Sequence, residues 1–284
     1  MPTENAVRRI YAPESAFRAS TSLIGSSSAG QLRVRPPIAL SAKGISKRFN
    51  DFLAVDGVDL DVHDGSVHAL IGPNGAGKTT VFNLLTKFLR PSAGTLRFRG
   101  RDITTASAVD IARMGIVRSF QISSIFSRLT VLENVRVALQ RPAGLAHQFW
   151  KSDRTMARLD QRALELLDEV GLDQWKFELA GELPYGRKRA LELATTLALE
   201  PCILLLDEPM AGMAGEDIST MTKLIRKVST GRAVLMVEHN LSVVADLCDR
   251  ITVLQRGRVL AAGNYEDISS NAEVRRAYIG DDDA

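Results

Sequence analysis

The chain of 284 residues is long enough for one large domain or two small ones, with a sizeable buried core. Its 45% hydrophobic and 24% charged residues are those of a globular protein, and a net charge of +3 with no basic stripe interleaved with aromatics excludes a nucleic-acid binder. Cys202 and Cys248 stand alone, outside any metal-ligand spacing, and read as packing residues of a reducing compartment.

Residues 1–37 are rich in Ser, Ala and Arg, lack hydrophobic periodicity and end in Arg35-Pro36-Pro37, the pattern of a disordered tail. The excess of Arg8, Arg9, Arg18, Arg33 and Arg35 over Glu4 and Glu14 leaves a transit peptide as the sharper alternative. A folded domain is expected over 38–284. Leu60 to Val62 precedes the turn His63-Asp64-Gly65, and Val67 to Ile71 then reads as a buried strand. A helix from about Lys78 to Phe88 follows a glycine-rich loop and is stopped by Pro91. Leu96 to Gly100 alternates like a half-exposed strand. Helical periodicity dominates from about Ile111 to Gly181, so a helical subdomain is expected over about 111–184. Strands return at Ile203–Leu206, Ala233–Val237 and Ile251–Leu254, and the first two do not alternate, as parallel strands covered on both faces require. The fold class is therefore α/β with a mostly parallel sheet and a helical insertion. Ser270-x-x-Glu273 looks like a capping box opening a last helix. No apolar run approaches the roughly 18 residues of a membrane-spanning helix, so action at a membrane would need a partner that crosses it.

Gly72-Pro73-Asn74-Gly75-Ala76-Gly77-Lys78-Thr79, continued by Thr80, matches G-x-x-x-x-G-K-[ST] after a strand and before a helix. Glycines let backbone N–H groups turn inward around phosphate oxygens, and the helix N-terminus adds positive potential. Lys78 supplies a mobile charge for the outer phosphates, and the Thr79 hydroxyl is a ligand for Mg²⁺. Asp207 and Glu208 follow a buried strand at the carboxyl edge of the sheet, where ligands of open α/β sheets bind. Asp207 is placed to hold Mg²⁺ through water, and Glu208 to orient or deprotonate an attacking water. The next strand brings Glu238 and His239 to the same edge, where His239 can sense the terminal phosphate. His63, His68 and His147 have no such context and read as structural.

With these motifs the chain resembles the nucleotide-binding subunit of an ABC transporter, from about Ile38 to Gly280. The resemblance implies ATP and Mg²⁺ as cofactors and a P-loop core with a small antiparallel part. It implies an adenine-stacking role for Phe49, in Lys47-Arg48-Phe49, and a Q-loop in Arg118-Ser119-Phe120-Gln121, where Gln121 meets Mg²⁺ and reports to the membrane subunit. The family's Leu-Ser-Gly-Gly-Gln signature stands here as Leu183-Pro184-Tyr185-Gly186-Arg187. Pro184 replaces the serine that binds phosphate, Arg187 offers charge in place of glutamine, and Ala211-Gly212-Met213-Ala214 lacks the usual D-loop acid. Leu-Pro-Tyr-Gly, that Ala-Gly pair and the terminal Ala277-Tyr278-Ile279-Gly280 resemble the ATPase group of branched-chain amino-acid, urea and amide importers.

The implied partners are membrane permease subunits, a second ATPase copy or homologue and, indirectly, a solute-binding protein, at the cytoplasmic face of the membrane. Ile125, Phe126 and Leu129 form the candidate contact surface for the permease. Two alternatives remain: an ATPase of lipopolysaccharide-type export, and a soluble switch that binds ATP without turning it over.

Overall fold

The computed structural model describes residues 36–119, 125–142 and 153–279, with only the backbone at 153–157 and 279. The expected tail over 1–37 therefore lies almost wholly outside the described residues, and Gln121 entirely so.

β1 (Ile38–Phe49) and β2 (Phe52–His63) form a hairpin that turns at Asn50, which takes a left-handed φ of 49°. β3 (Val67–Ile71) runs through the glycine-rich loop into α1 (Lys78–Leu85). β4 (Ala93–Phe98) and β5 (Arg101–Asp102) complete an antiparallel sheet in the order β2-β1-β4-β5. There follow α2 (Ala108–Arg113), β6 (Ile116–Arg118), α3 (Val131–Leu139), α4 (Asp153–Glu169), α5 (Tyr185–Leu197) and β7 (Ile203–Asp207). The chain continues with α6 (Gly215–Ser229), β8 (Ala233–Val237), α7 (Leu241–Leu247), β9 (Arg250–Gln255), β10 (Arg258–Gly263), α8 (Tyr265–Ser270) and α9 (Ala272–Ile279). The larger sheet has the order β10-β9-β3-β8-β7-β6. It is parallel from β9 to β6, with β10 antiparallel at the edge.

Every residue of β3, β7 and β8 is buried, which explains their unbroken apolar runs. Strand geometry divides those residues between two cores. Leu204, Leu206, Val234 and Met236 join α3 to α6 on one face, while Ile203, Leu205, Leu235 and Val237 join α1 and the antiparallel sheet on the other. Phe82 and Leu85 of α1 are wholly buried in the second core. In α4, Ala163, Leu166 and Leu167 face the helical core, joined by Val170 just past its end, as their spacing requires.

Three expectations need correction. Helical structure is not continuous from Ile111, because Ile116–Arg118 is a strand paired with β7 at the edge of the sheet. Gly115, at φ 90°, turns the chain there, and its carbonyl accepts the Cys202 and Ile203 N–H groups at 2.9 and 3.0 Å. A three-residue strand is too short to show alternation. Second, α1 stops at Leu85 rather than Phe88, since Lys87 takes a left-handed φ of 59° and Leu89 bonds back to Asn83. Third, Ser270 is no capping residue: it ends α8, and its hydroxyl donates to Glu266. Asn271 caps α9 instead, its Oδ1 accepting the N–H groups of Glu273 and Val274 at 2.8 and 3.2 Å.

His68 is structural, as expected, buried on β3 between Thr252 Oγ1 at 2.9 Å and the Asp61 carbonyl at 3.2 Å. Burial, and then the positive charge of Arg250, push its pKa from 6.5 down to about 4. Between those values the unfolded chain takes up a proton that the folded one refuses, so stability falls as pH drops from 6.5 to 4. The loss attributable to this group approaches ~3 kcal/mol at the acid end. Urea unfolding of the wild type at pH 7 and pH 4.5 should show it, and His68→Gln should flatten that part of the slope.

Candidate active site

The site is built where β3, β7 and β8 end. The phosphate loop leaves β3 at Gly72 and is wedged against the turn between β9 and β10. A Cβ at Gly72, where φ is +148°, would lie 2.1 Å from the Leu254 carbonyl oxygen. Gly77, at φ +99°, caps α1, and a Cβ there would meet the Ala54 carbonyl at 2.9 Å. Both positions need glycine on steric and conformational grounds. Gly257 ties the turn to the loop through its N–H on Ala76 at 3.0 Å and to β2 through its carbonyl on Asp56 at 2.8 Å. The Ala76 side chain is buried, whereas Asn74, Gly75 and Thr79 are exposed, with Pro73 and Thr80 between.

Lys78 is buried and donates through Nζ to the carbonyls of Gly72 and Pro73 at 2.7 and 3.0 Å. Burial lowers its pKa, and the negative charge of Glu208 works the other way. The same groups thus hold an ammonium ready at the mouth of the loop, with an acid nearby to keep it protonated.

Asp207 is buried at the end of β7, and its Oδ2 accepts a charge-assisted bond from Arg118. Arg118 also donates to Asn83 of α1 at 2.7 Å and lies over the Phe82 ring at 5.8 Å. This arginine was missed by sequence reasoning, since one basic residue in a short edge strand carries no signal of its own. Glu208 follows in a left-handed conformation at φ 49°. Its N–H bonds the Val237 carbonyl at 3.0 Å, and its Oε2 lies 3.3 Å from His239 Nε2. The two strand ends therefore deliver the acid and the imidazole as a pair. Glu238, which is buried, organises both: its carboxylate accepts the N–H groups of Met210 at 3.0 Å, His239 at 3.1 Å and Asn240 at 3.3 Å. A carboxylate closing a wholly apolar strand was the available clue.

Phe49 is 42% exposed at the end of β1, with Lys47 Nζ 5.1 Å from its ring centroid, so it is available as a stacking face rather than buried core. The signature residues are not gathered with the phosphate loop. Leu183 is buried in the helical core, which removes its side chain from any nucleotide. Pro184 occupies the N-cap of α5 without a side-chain cap. Arg187 stacks on Trp175 at 3.6 Å to the ring centroid, within the helical lobe. Gly186 has no room for a side chain, because a Cβ there would meet the Asp217 carboxylate at 2.6 Å. Tyr185 donates its hydroxyl to the Ala211 carbonyl at 2.8 Å. Of the candidate contact surface, Phe126 is exposed while Ile125 packs against the core.

A phosphate loop, an acid pair and an imidazole at the carboxyl edge of a parallel sheet define a P-loop ATPase cassette. The family described as "ABC transporter" matches residues 55–211, and the chain belongs to it as an ATP-binding, ATP-hydrolysing subunit. It is 39% identical over 249 residues to the high-affinity branched-chain amino acid transport ATP-binding protein LivG of Escherichia coli (strain K12), covering 85% of this chain and 98% of that protein. The corresponding protein BraF of Pseudomonas aeruginosa is 39% identical over 252 residues, with the same coverage of 85% and 98%. Among solved structures, the ADP conformation of MJ1267, an ATP-binding cassette of an ABC transporter, superposes with a TM-score of 0.76 at 29% identity, covering 86% of this chain and 99% of that one. No helix among the described residues is long and apolar enough to cross a membrane.

Gly72→Ala should weaken ATP binding by about tenfold or more, because the loop must leave the Leu254 carbonyl. Fluorescent-nucleotide titration measures this, and far-UV circular dichroism should stay unchanged. Wild-type affinity in that variant would show that the wedge does not set the loop.

Proposed function

We propose that the chain energises uptake of branched-chain amino acids, or a related amide or urea solute, through separate permease subunits at the cytoplasmic face of the cell membrane. The observation that carries this reading is 39% identity sustained across 98% of the LivG sequence, rather than across the phosphate motifs alone. Nothing in the site selects a solute, so selection belongs to the permease and to a solute-binding protein beyond it.

In this reading the phosphate loop binds the triphosphate through backbone N–H groups and Lys78, with Phe49 stacking on adenine. The Thr79 hydroxyl and Asp207 are hard oxygen donors that suit Mg²⁺. Arg118 takes only one oxygen of Asp207, and Oδ1 keeps its capacity for a metal-bound water. Mg²⁺ would screen the phosphate charge when bound. Glu208 accepts a proton from the attacking water, and the His239 ring beside it holds that carboxylate in place. Gln121 would report this state to the permease.

Two cassettes, identical or homologous, close around two ATP molecules. The first turn of α5 has no side-chain cap, so its N–H groups and the helix dipole are available to the terminal phosphate of the partner's nucleotide. Pro184 leaves that approach to backbone groups alone, and the Asp217 carboxylate lies against Gly186 beside them.

Two measurements test the proposal. Glu208→Gln should keep ATP affinity, lower hydrolysis by about 10²–10⁴ and trap an ATP-dependent dimer on size exclusion. Purification of the tagged chain from detergent-solubilised membranes should bring down a polytopic permease, identified by mass spectrometry. Recovery of soluble proteins only, with the chain absent from membranes, would overturn the transport reading and leave an ATP-driven switch.

A further inference from the structure

Two departures from the family pattern, the tyrosine of the signature and the Ala-Gly pair after Glu208, meet in space. Tyr185 opens α5 and donates its hydroxyl to the Ala211 carbonyl at 2.8 Å. Gly212, at φ +76°, lies directly under the ring: a Cβ there would stand 3.1 Å from the Tyr185 hydroxyl oxygen and 3.3 Å from its ring carbons. Behind the hydroxyl, Arg189 donates to it from Nε at 3.0 Å and from a terminal nitrogen at 2.7 Å. The other terminal nitrogen of Arg189 binds Glu192 at 2.8 Å, in a pair whose side chains are 13% and 8% exposed. Arg189 and Glu192 share a cavity of about 30 Å³ with Asp207.

The same turn is held from its other side. The Glu238 carboxylate accepts the Met210 N–H at 3.0 Å, and the Ala211 N–H closes on the Glu208 carbonyl at 3.0 Å. Residues 210–212 are thus fixed to the strand that carries His239 on one side and to the signature helix on the other. A group with the hydroxyl of Tyr185 removed would keep its packing but lose its hold on the turn.

We propose that Tyr185 is a positioning residue for hydrolysis, whose hydroxyl couples the signature helix to the turn that sets Glu208. The proposal rests on the ATPase reading of Glu208. When the signature helix takes up a partner's phosphate, the strut carries its displacement to the backbone following the acid, and so to the Glu208–His239 pair. Tyr185 touches no reacting atom in this scheme.

Tyr185→Phe in the full chain tests it. We expect kcat to fall about tenfold, by loss of alignment, with the KM for ATP within about twofold and Tm within about 4 °C of wild type, as suits loss of a half-exposed hydroxyl that donates to Ala211 and accepts two bonds from Arg189. Gly212→Ala, which pushes the ring away from the other side, should give a similar fall in kcat. The double variant should lose little more than either alone, because both break one contact. Wild-type kcat in Tyr185→Phe would overturn the proposal. So would a fall in kcat matched by lost ATP affinity and a Tm lower by more than about 5 °C, which would make Tyr185 a packing residue. Glu208→Gln, measured alongside, separates the two levels: wild-type turnover there sinks the reading of Glu208 as the base, whereas its inactivity beside an unaffected Tyr185→Phe sinks only the strut.

Discussion

Burial of the parallel sheet on both faces constrains everything else in this molecule. β3, β7 and β8 offer no exposed residue along their length, so polar chemistry can emerge only where they end. All three end on the same edge because parallel strands share a direction. Lys78, the Asp207–Glu208 pair and Glu238–His239 therefore converge without any strand having to bend. The cost of this arrangement is that charged groups sit beside a dry core, and each must find a partner there. Asp207 has Arg118, Glu238 has three N–H groups, and Lys78 has two loop carbonyls.

Those partnerships do more than neutralise charge. Arg118 binds Asp207 and Asn83 together, joining the acid strand to the helix that follows the phosphate loop. Glu238 does the same for the two strand ends that carry Glu208 and His239. A bidentate or branched group shared by two elements fixes their relative position more tightly than two separate contacts of the same total strength. The β9–β10 turn, locked under the loop by Gly72 and Gly257, supplies the third side of the frame.

Legibility in the sequence followed contiguity. The phosphate loop and the acids after β7 occupy consecutive positions, and the buried strands announce themselves as unbroken apolar runs, so both were readable without a structure. β6 was not, since three residues cannot display a period and its pairing with β7 spans the whole helical lobe. The resemblance to the family pointed to Leu183–Arg187 as the signature, but it could not show that Leu183 packs inward or that Arg187 lies on Trp175. No local pattern could reveal the bond between Tyr185 and Ala211, which are 26 residues apart. The sequence showed only that both positions were unusual, and geometry supplied the reason that they are unusual together.

The chemistry of that contact suits a joint that works repeatedly. Tyr185 is 43% exposed, so water can replace either of its partners, and the net worth of such a bond is about 1 kcal/mol. Arg189 and Glu192 behind it are nearly buried, and separating them would strand a charge at a cost of roughly 3–5 kcal/mol. The joint therefore has a stiff base and an adaptable tip, so a signature helix that moves during closure would carry the Arg189–Glu192 base with it and pull on the 210–212 turn through the hydroxyl. Proline at the head of α5 serves the same division of labour: with φ already fixed, the turn before Tyr185 loses little entropy as it orders. This chain thus places a rigid residue at the head of α5 and its adaptable contact, to the Ala211 carbonyl, one position along.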